Sequence, residues 1–234
     1  MSVTNSDFPE SDPSVFVALT DSRPNDAEWP ALAWPPRPGV ALAGDVVTLV
    51  PLVPDRDAPQ LFTSLDDDAV WAHLAGRPST PEENAANLQR AIDAGMHPWA
   101  VTLTQARAGF AAGTVIGTTA YLDISVSDAR LEIGSTAYAR PFWGSAVNPQ
   151  SKLLLLEYAF DVLGTGRVQL KTDIRNERSQ RAIERLGASY EGTLRRYQRR
   201  ADGTVRDTVM FSITAEDWPR VGAALRDRVA ATTR

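Results

Sequence analysis

The chain contains no cysteine. That excludes disulfides, thiolate-ligated zinc and a cysteine that carries an acyl group covalently. Histidine is nearly as scarce. His73 and His97 are the only two, too few for a multi-histidine metal centre or a histidine relay, so no metal is expected. No apolar run approaches the roughly 20 residues that cross a bilayer. The opening MSVTNSDFPESDPS lacks the basic start and apolar centre of a secretory signal. A cytoplasmic location without a membrane partner is the expectation. Basic charge is not in excess either: 24 Lys and Arg against 29 Asp and Glu leave a net charge of -5. A nucleic-acid partner, which calls for a basic stripe, is therefore not expected. Neither GxxxxGK nor GxGxxG occurs, and no internal repeat is visible.

What is present fits one sizeable core within 234 residues. Residues 1–44 stand apart. They hold seven of the chain's prolines, and through Asp45 seven acids against two arginines. This composition predicts an acidic, Pro-rich arm, partly disordered or packed on the surface. Trp29, Trp34 and Val40 are the residues expected to lie on the domain, which runs from 45 to 234.

VVTLVPLV (46–53) reads as a strand with Pro51 at an edge or bulge. Two short helices follow, DRDAPQLFTSL and DDDAVWAHL. TPEENAANLQRAIDAG predicts a helix with Thr80 as cap, Pro81 first, Glu83 completing a capping box and Gly95 at the end. HPWAVTLTQA, TVIGTTAYLD and ARLEIGSTAY read as successive strands. The stretch RPFWGSAVN then leads into QSKLLLLEYAFDVL, a helix apolar around most of its circumference and so covered on more than one side. Asn148 is expected to cap that helix, with Pro149 in its first turn. RVQLKT alternates as a strand, and NERSQRAIERLGA is a helix capped by Asn176 and ended by Gly187. SYEGTLRRYQRR and TVRDTVMFSIT form a hairpin about Asp202-Gly203, before a closing helix in EDWPRVGAALRDRVAA.

Three pieces carry a resemblance: RPFWGSAVN…KLLLLEYAF, RVQLKTDIRNERSQRAIERLGASYEGTLRR and RDTVMFSIT. With the element order, they resemble the GCN5-related N-acetyltransferase (GNAT) superfamily, and within it the RimJ/RimL-type branch that acetylates ribosomal-protein N-termini. The likeness covers about residues 45–218. It implies an α/β (α+β) fold, a mixed and mostly antiparallel central sheet flanked by helices, with the fourth and fifth strands splayed apart. It also implies acetyl-CoA as co-substrate. The family's pyrophosphate cradle, Gln/Arg-x-x-Gly-x-Gly/Ala, falls on Trp143, Gly144, Ser145, Ala146, Val147 and Asn148. Trp143, Ala146 and Asn148 depart from the pattern, and Asn148 as a helix cap would compete with the phosphate. The coenzyme's arm is expected to pair with the backbone near Ala137 and Tyr138, and Asn176 to hydrogen-bond the arm unless it serves as a cap.

Acyl transfer from a thioester needs a neutral amine, a polarised carbonyl and a stable leaving thiolate. Deprotonating a lysine amine at pH 7 costs about 4.6 kcal/mol, and an α-amine only about 1 kcal/mol. A weak base is then enough for an α-amine. Glu132, which alternates with the apolar Leu131 and Ile133, is the candidate base. Ser179 matches the serine that the resemblance assigns as proton donor to the thiolate. These features point to an N-acyltransferase acting by direct ternary-complex transfer on a peptide N-terminus or a small-molecule amine. A non-catalytic acyl-CoA-binding regulatory module is the alternative, and a homodimer through the last hairpin is open.

Overall fold

The computed structural model describes residues 30–74 and 76–232, with Ala18 and Thr20. Trp29 and most of the first half of the expected arm lie outside the described residues. The elements run β1 (Leu42–Ala43), β2 (Val47–Pro51), α1 (Pro54–Ser64), α2 (Asp68–Trp71), α3 (Pro81–Asp93), β3 (His97–Leu103), β4 (Val115–Ser125) and β5 (Arg130–Tyr138). Then come α4 (Val147–Glu157), β6 (Arg167–Asp173), α5 (Glu177–Glu184), β7 (Ser189–Arg199), β8 (Val205–Thr214) and α6 (Trp218–Thr232). Eight strands form one sheet in the order β1-β2-β3-β4-β5-β6-β8-β7. Every neighbouring pair is antiparallel except β5 with β6. The mixed, mostly antiparallel architecture expected from the sequence is the one observed.

Local chemistry explains the helix starts. Thr80 accepts from the Glu83 amide at 3.1 Å, and the Glu83 carboxylate accepts from the Ser79 amide at 2.6 Å. The reciprocal bond of this capping box thus lands one residue before the cap. At α5 the Asn176 side chain accepts from the Ser179 amide at 3.1 Å, as the spacing predicts. At α4 the expectation fails. The helix begins at Val147, the preceding Ala146 makes no side-chain cap bond, and Asn148 sits inside the first turn. Pro149 is responsible: it tolerates any of the first few helical positions, so it does not fix which residue precedes the helix.

Helix α4 is buried over most of its surface, as its apolar sequence requires. Leu155 and Leu156 are fully buried, and the Tyr121 hydroxyl donates to the Leu155 carbonyl at 2.6 Å. One apolar cluster on this face takes in α4, α6 and the sheet; a smaller one joins α1, α2 and the sheet through Leu61, Val70 and Ala137. Beyond Glu157 the helix widens into a π-helical turn over Tyr158–Val162. There Asp161 accepts from the Trp218 indole at 2.7 Å and Phe160 stacks on the same ring. The second half of the expected arm packs onto the larger cluster. Leu32 is buried, Trp34 meets His97 and Tyr121 edge-on, and the Ala33 amide donates to the Leu163 carbonyl at 2.7 Å.

Candidate active site

The site begins where the sheet parts. β5 and β6 pair only at Arg130↔Arg167, Leu131↔Val168 and Glu132↔Gln169. Past Glu132 the edge of β5 facing β6 has no strand beside it. Ser135, in a left-handed conformation at φ 46°, marks a bulge there and re-aims the rest of the strand. Leu131 and Ile133 face the larger cluster; after the bulge Tyr138 faces it too, while Ala137 joins the smaller one. The gap opens into a cleft of about 920 Å³ lined by β5, β6, the entry to α4, the first turns of α5 and part of the β7–β8 hairpin.

One wall is the turn before α4. Gly144 adopts φ 73°, which a glycine takes without strain, and nothing stands within 4 Å of where its Cβ would be. Among the described residues the amides of Gly144, Ala146 and Asn148 have no acceptor, while the Val147 amide reaches the Ser145 hydroxyl at 3.2 Å. Gly144, Ser145 and Asn148 line the cleft. Ala146 and Val147 are buried and do not line it. The expected competition from Asn148 is absent, because its side chain does not cap the helix.

Trp143 closes the same wall. Its indole donates to the Tyr138 carbonyl at 2.9 Å, which uses one of the two lone pairs of that oxygen. The Arg178 guanidinium lies 3.2 Å and that of Arg140 4.3 Å from the Trp143 ring centroid. Partial burial and the neighbouring Arg140 push the Arg178 pKa down. Neither guanidinium has an ion-pair partner among the described residues. Cations and acceptor-free amides beside a helix start are chemistry suited to an anion; of these groups, Arg178, Gly144 and Asn148 belong to residues that line the cleft.

The opposite wall carries the chemistry-bearing side chains. Ser179 lines the cleft from the first turn of α5, and its hydroxyl has no hydrogen-bond partner among the described residues. Asn176 has committed its oxygen to the cap. Glu132 is not a solvated strand residue; it is only 2% exposed, 2.7 Å from Lys171 Nζ and 3.3 Å from Gln169 Nε2. A Cβ on Gly134 would stand 2.8 Å from its carboxylate, so that glycine makes room for it. Asp173 is clamped by Arg200 at 2.5 and 2.8 Å, and that hydrogen bonding holds its carboxyl down at about 2. His73 is exposed at the rim.

The Acetyltransferase (GNAT) domain family matches residues 47–189. This chain belongs to the GNAT acetyltransferase family. It is 31% identical over 104 residues to p20 of Bacillus licheniformis, an uncharacterized N-acetyltransferase; that match covers 44% of this chain and 57% of p20. A crystal structure of an acetyltransferase from T. thermophilus superposes with a TM-score of 0.70 at 38% identity, covering 80% of this chain and 96% of that one. A GCN5-related N-acetyltransferase from Brucella melitensis gives a TM-score of 0.77 at 26% identity, covering 86% and 90%. The GNAT chain is therefore an acyltransferase. No helix among the described residues is long and apolar enough to span a membrane, and no cluster of metal-ligating side chains occurs among them.

In and around the GNAT cleft lie residues that sequence reasoning missed. Lys152, in the apolar run of α4, lines the cleft with its Nζ 2.9 Å from Thr119 Oγ1 and 2.6 Å from Thr136 Oγ1. Burial lowers its pKa to about 7. The available signal was a lone basic residue directly before four consecutive leucines. Gln150, one turn into α4, accepts from the Val46 and Val47 amides at 2.7 and 2.8 Å and fixes the helix to the start of β2. Nothing local in the sequence brings Arg140 and Arg178 to one indole.

Proposed function

We propose that the chain transfers an acetyl group from acetyl-CoA directly to a primary amine. The single observation that supports this most is the parting of β5 from β6 beside the unpaired amides at the start of α4. These groups suit the coenzyme: Gly144, Ala146 and Asn148 would offer amides to its diphosphate, and Arg140 and Arg178 opposing charge. The unpartnered edge of β5 past Glu132 would hold its arm by strand-like hydrogen bonds. When bound, acetyl-CoA supplies the acyl thioester and, in this family, serves as the usual co-substrate.

The chain's own residues then have definable tasks. Ser179, with an uncommitted hydroxyl, would give its proton to the leaving thiolate. Glu132 would receive the proton that the amine loses. The absence of cysteine supports a ternary complex in which no acyl group is parked on a thiol. The likeness to the RimJ/RimL branch, and the low cost of neutralising an α-amine, about 1 kcal/mol at pH 7, favour a protein N-terminal amine as acceptor. A small-molecule amine satisfies the same chemistry.

Free thiol released from acetyl-CoA, measured with a panel of N-terminal peptides and small amines, tests this reading. Amine-dependent release is expected. Tight coenzyme binding by calorimetry with no turnover for any amine would instead mark a binding module and overturn the catalytic assignment.

A further inference from the structure

Among the chain's 24 basic residues only two are lysines, Lys152 and Lys171; the other 22 are arginines. Both lysines line the cleft. Arginine is not an acyl acceptor at neutral pH, so apart from the N-terminus the molecule carries its only two acylatable amines where the proposed thioester would be consumed.

The two lysines are held differently. Lys171 is engaged by a carboxylate, Glu132, at 2.7 Å, and must leave that partner before its nitrogen can attack. Lys152 has no ion-pair partner among the described residues. Its Nζ meets only the hydroxyls of Thr119 and Thr136, which also lie 2.8 Å from each other. The bonds can be counted: Thr136 donates to the Gly134 carbonyl at 3.3 Å, Thr119 donates to Thr136, and Nζ donates to both oxygens. A neutral amine has two N–H groups, so both are then used and its lone pair is left over. Burial pushes the Lys152 pKa down to about 7, so a substantial share carries that lone pair near neutral pH. Lys152 also stands on α4, the helix whose start forms the proposed anion cradle.

We propose that Lys152 is a self-acetylation site: with no acceptor amine in the cleft, its Nζ takes the acetyl group from the thioester. This rests on the acetyl-CoA reading above. A new bond forms between Nζ and the acyl carbon, and the carbon–sulfur bond breaks. The proton that Nζ loses ends on the departing thiolate, giving free thiol. The product is an amide with one N–H, which can no longer serve both threonines, and its acetyl group occupies cleft volume. Self-acetylation would thus switch the site off when acyl donor is plentiful and acceptor is lacking.

The test uses the full-length chain incubated with acetyl-CoA and no acceptor, followed by peptide mass mapping, with acetyl-CoA binding measured by calorimetry on the same preparation. Acetylation of Lys152 is expected to exceed that of Lys171 by about tenfold or more, given the ion pair that occupies Lys171. Lys152→Arg should abolish it, and the preference should vanish when the chain is unfolded in denaturant first. If acetyl-CoA binds and Lys152 stays unmodified, or if Lys171 is labelled as fast, the inference fails and the transferase reading stands. If acetyl-CoA does not bind, both fall.

Discussion

A serine in the first turn of a helix ordinarily turns its hydroxyl back to the local backbone. Ser179 does not, because its amide is already met by Asn176 and its hydroxyl faces the cleft. Removing that hydroxyl should therefore cost chemistry and little else. Ser179→Ala is expected to lower kcat by about a hundredfold, with coenzyme affinity and melting temperature nearly unchanged; steady-state kinetics beside calorimetry checks this. Unchanged turnover would take Ser179 out of the mechanism. At this scale the sequence discloses residue types more readily than their commitments. Glu132 alternates visibly out of the apolar face of β5, yet nothing local shows that Lys171 and Gln169 meet it from the next strand. Asn176 could be read as cap or as ligand, and only the structure shows that its oxygen caps α5 through the Ser179 amide.

Helix α4 has a start that faces the cleft and a body that, apart from Lys152, is packed against protein. An anion belongs at the first, where amides are open and the helix dipole is positive. Asn148→Asp, which changes charge at nearly constant shape, should have effects of opposite sign on folding and binding. The added carboxylate should leave thermal stability equal or raise it by about 0.3–1 kcal/mol. It should also weaken coenzyme binding by about tenfold or more, through repulsion of the diphosphate. Thermal denaturation and calorimetry read the two separately; unaltered affinity would mean the anion sits elsewhere. One turn along, Gln150→Leu leaves the Val46 and Val47 amides buried without an acceptor. A loss of about 2–4 kcal/mol in urea denaturation is expected. The body of α4 was legible from its apolar circumference. Its start was not, because Asn148-Pro149 suits a cap and a first turn equally well and tertiary contacts choose between them.

Across the whole molecule the sheet is two antiparallel blocks, β1 to β5 and β6 with β8 and β7, joined by three residue pairs. The ion pair of Asp173 with Arg200 fastens the cleft end of β6 to the last hairpin. Its pH dependence comes from the depressed carboxyl. Stability from this pair is fully present above the ordinary aspartate value of 3.8 and is lost as pH falls toward about 2. The melting temperature of the native chain should drop through that window, and Asp173→Asn should show a shallower drop from a lower plateau. Parallel curves would deny the pair this role. The order of strands and helices could be read along the chain because each has its own period and its own stop residues. The length of the β5–β6 contact could not, since the bulge at Ser135 and the entry to α4 act on it from different parts of the sequence.

That short seam sets how the molecule responds to its ligand. A bound arm lying along β5 would lengthen the junction between blocks that otherwise share three rungs, so occupancy should change mechanical coupling across the sheet as well as fill space. Those backbone amides of β5 beyond Glu132 that point away from β4 should then be slow to exchange with deuterium only while the coenzyme is in place.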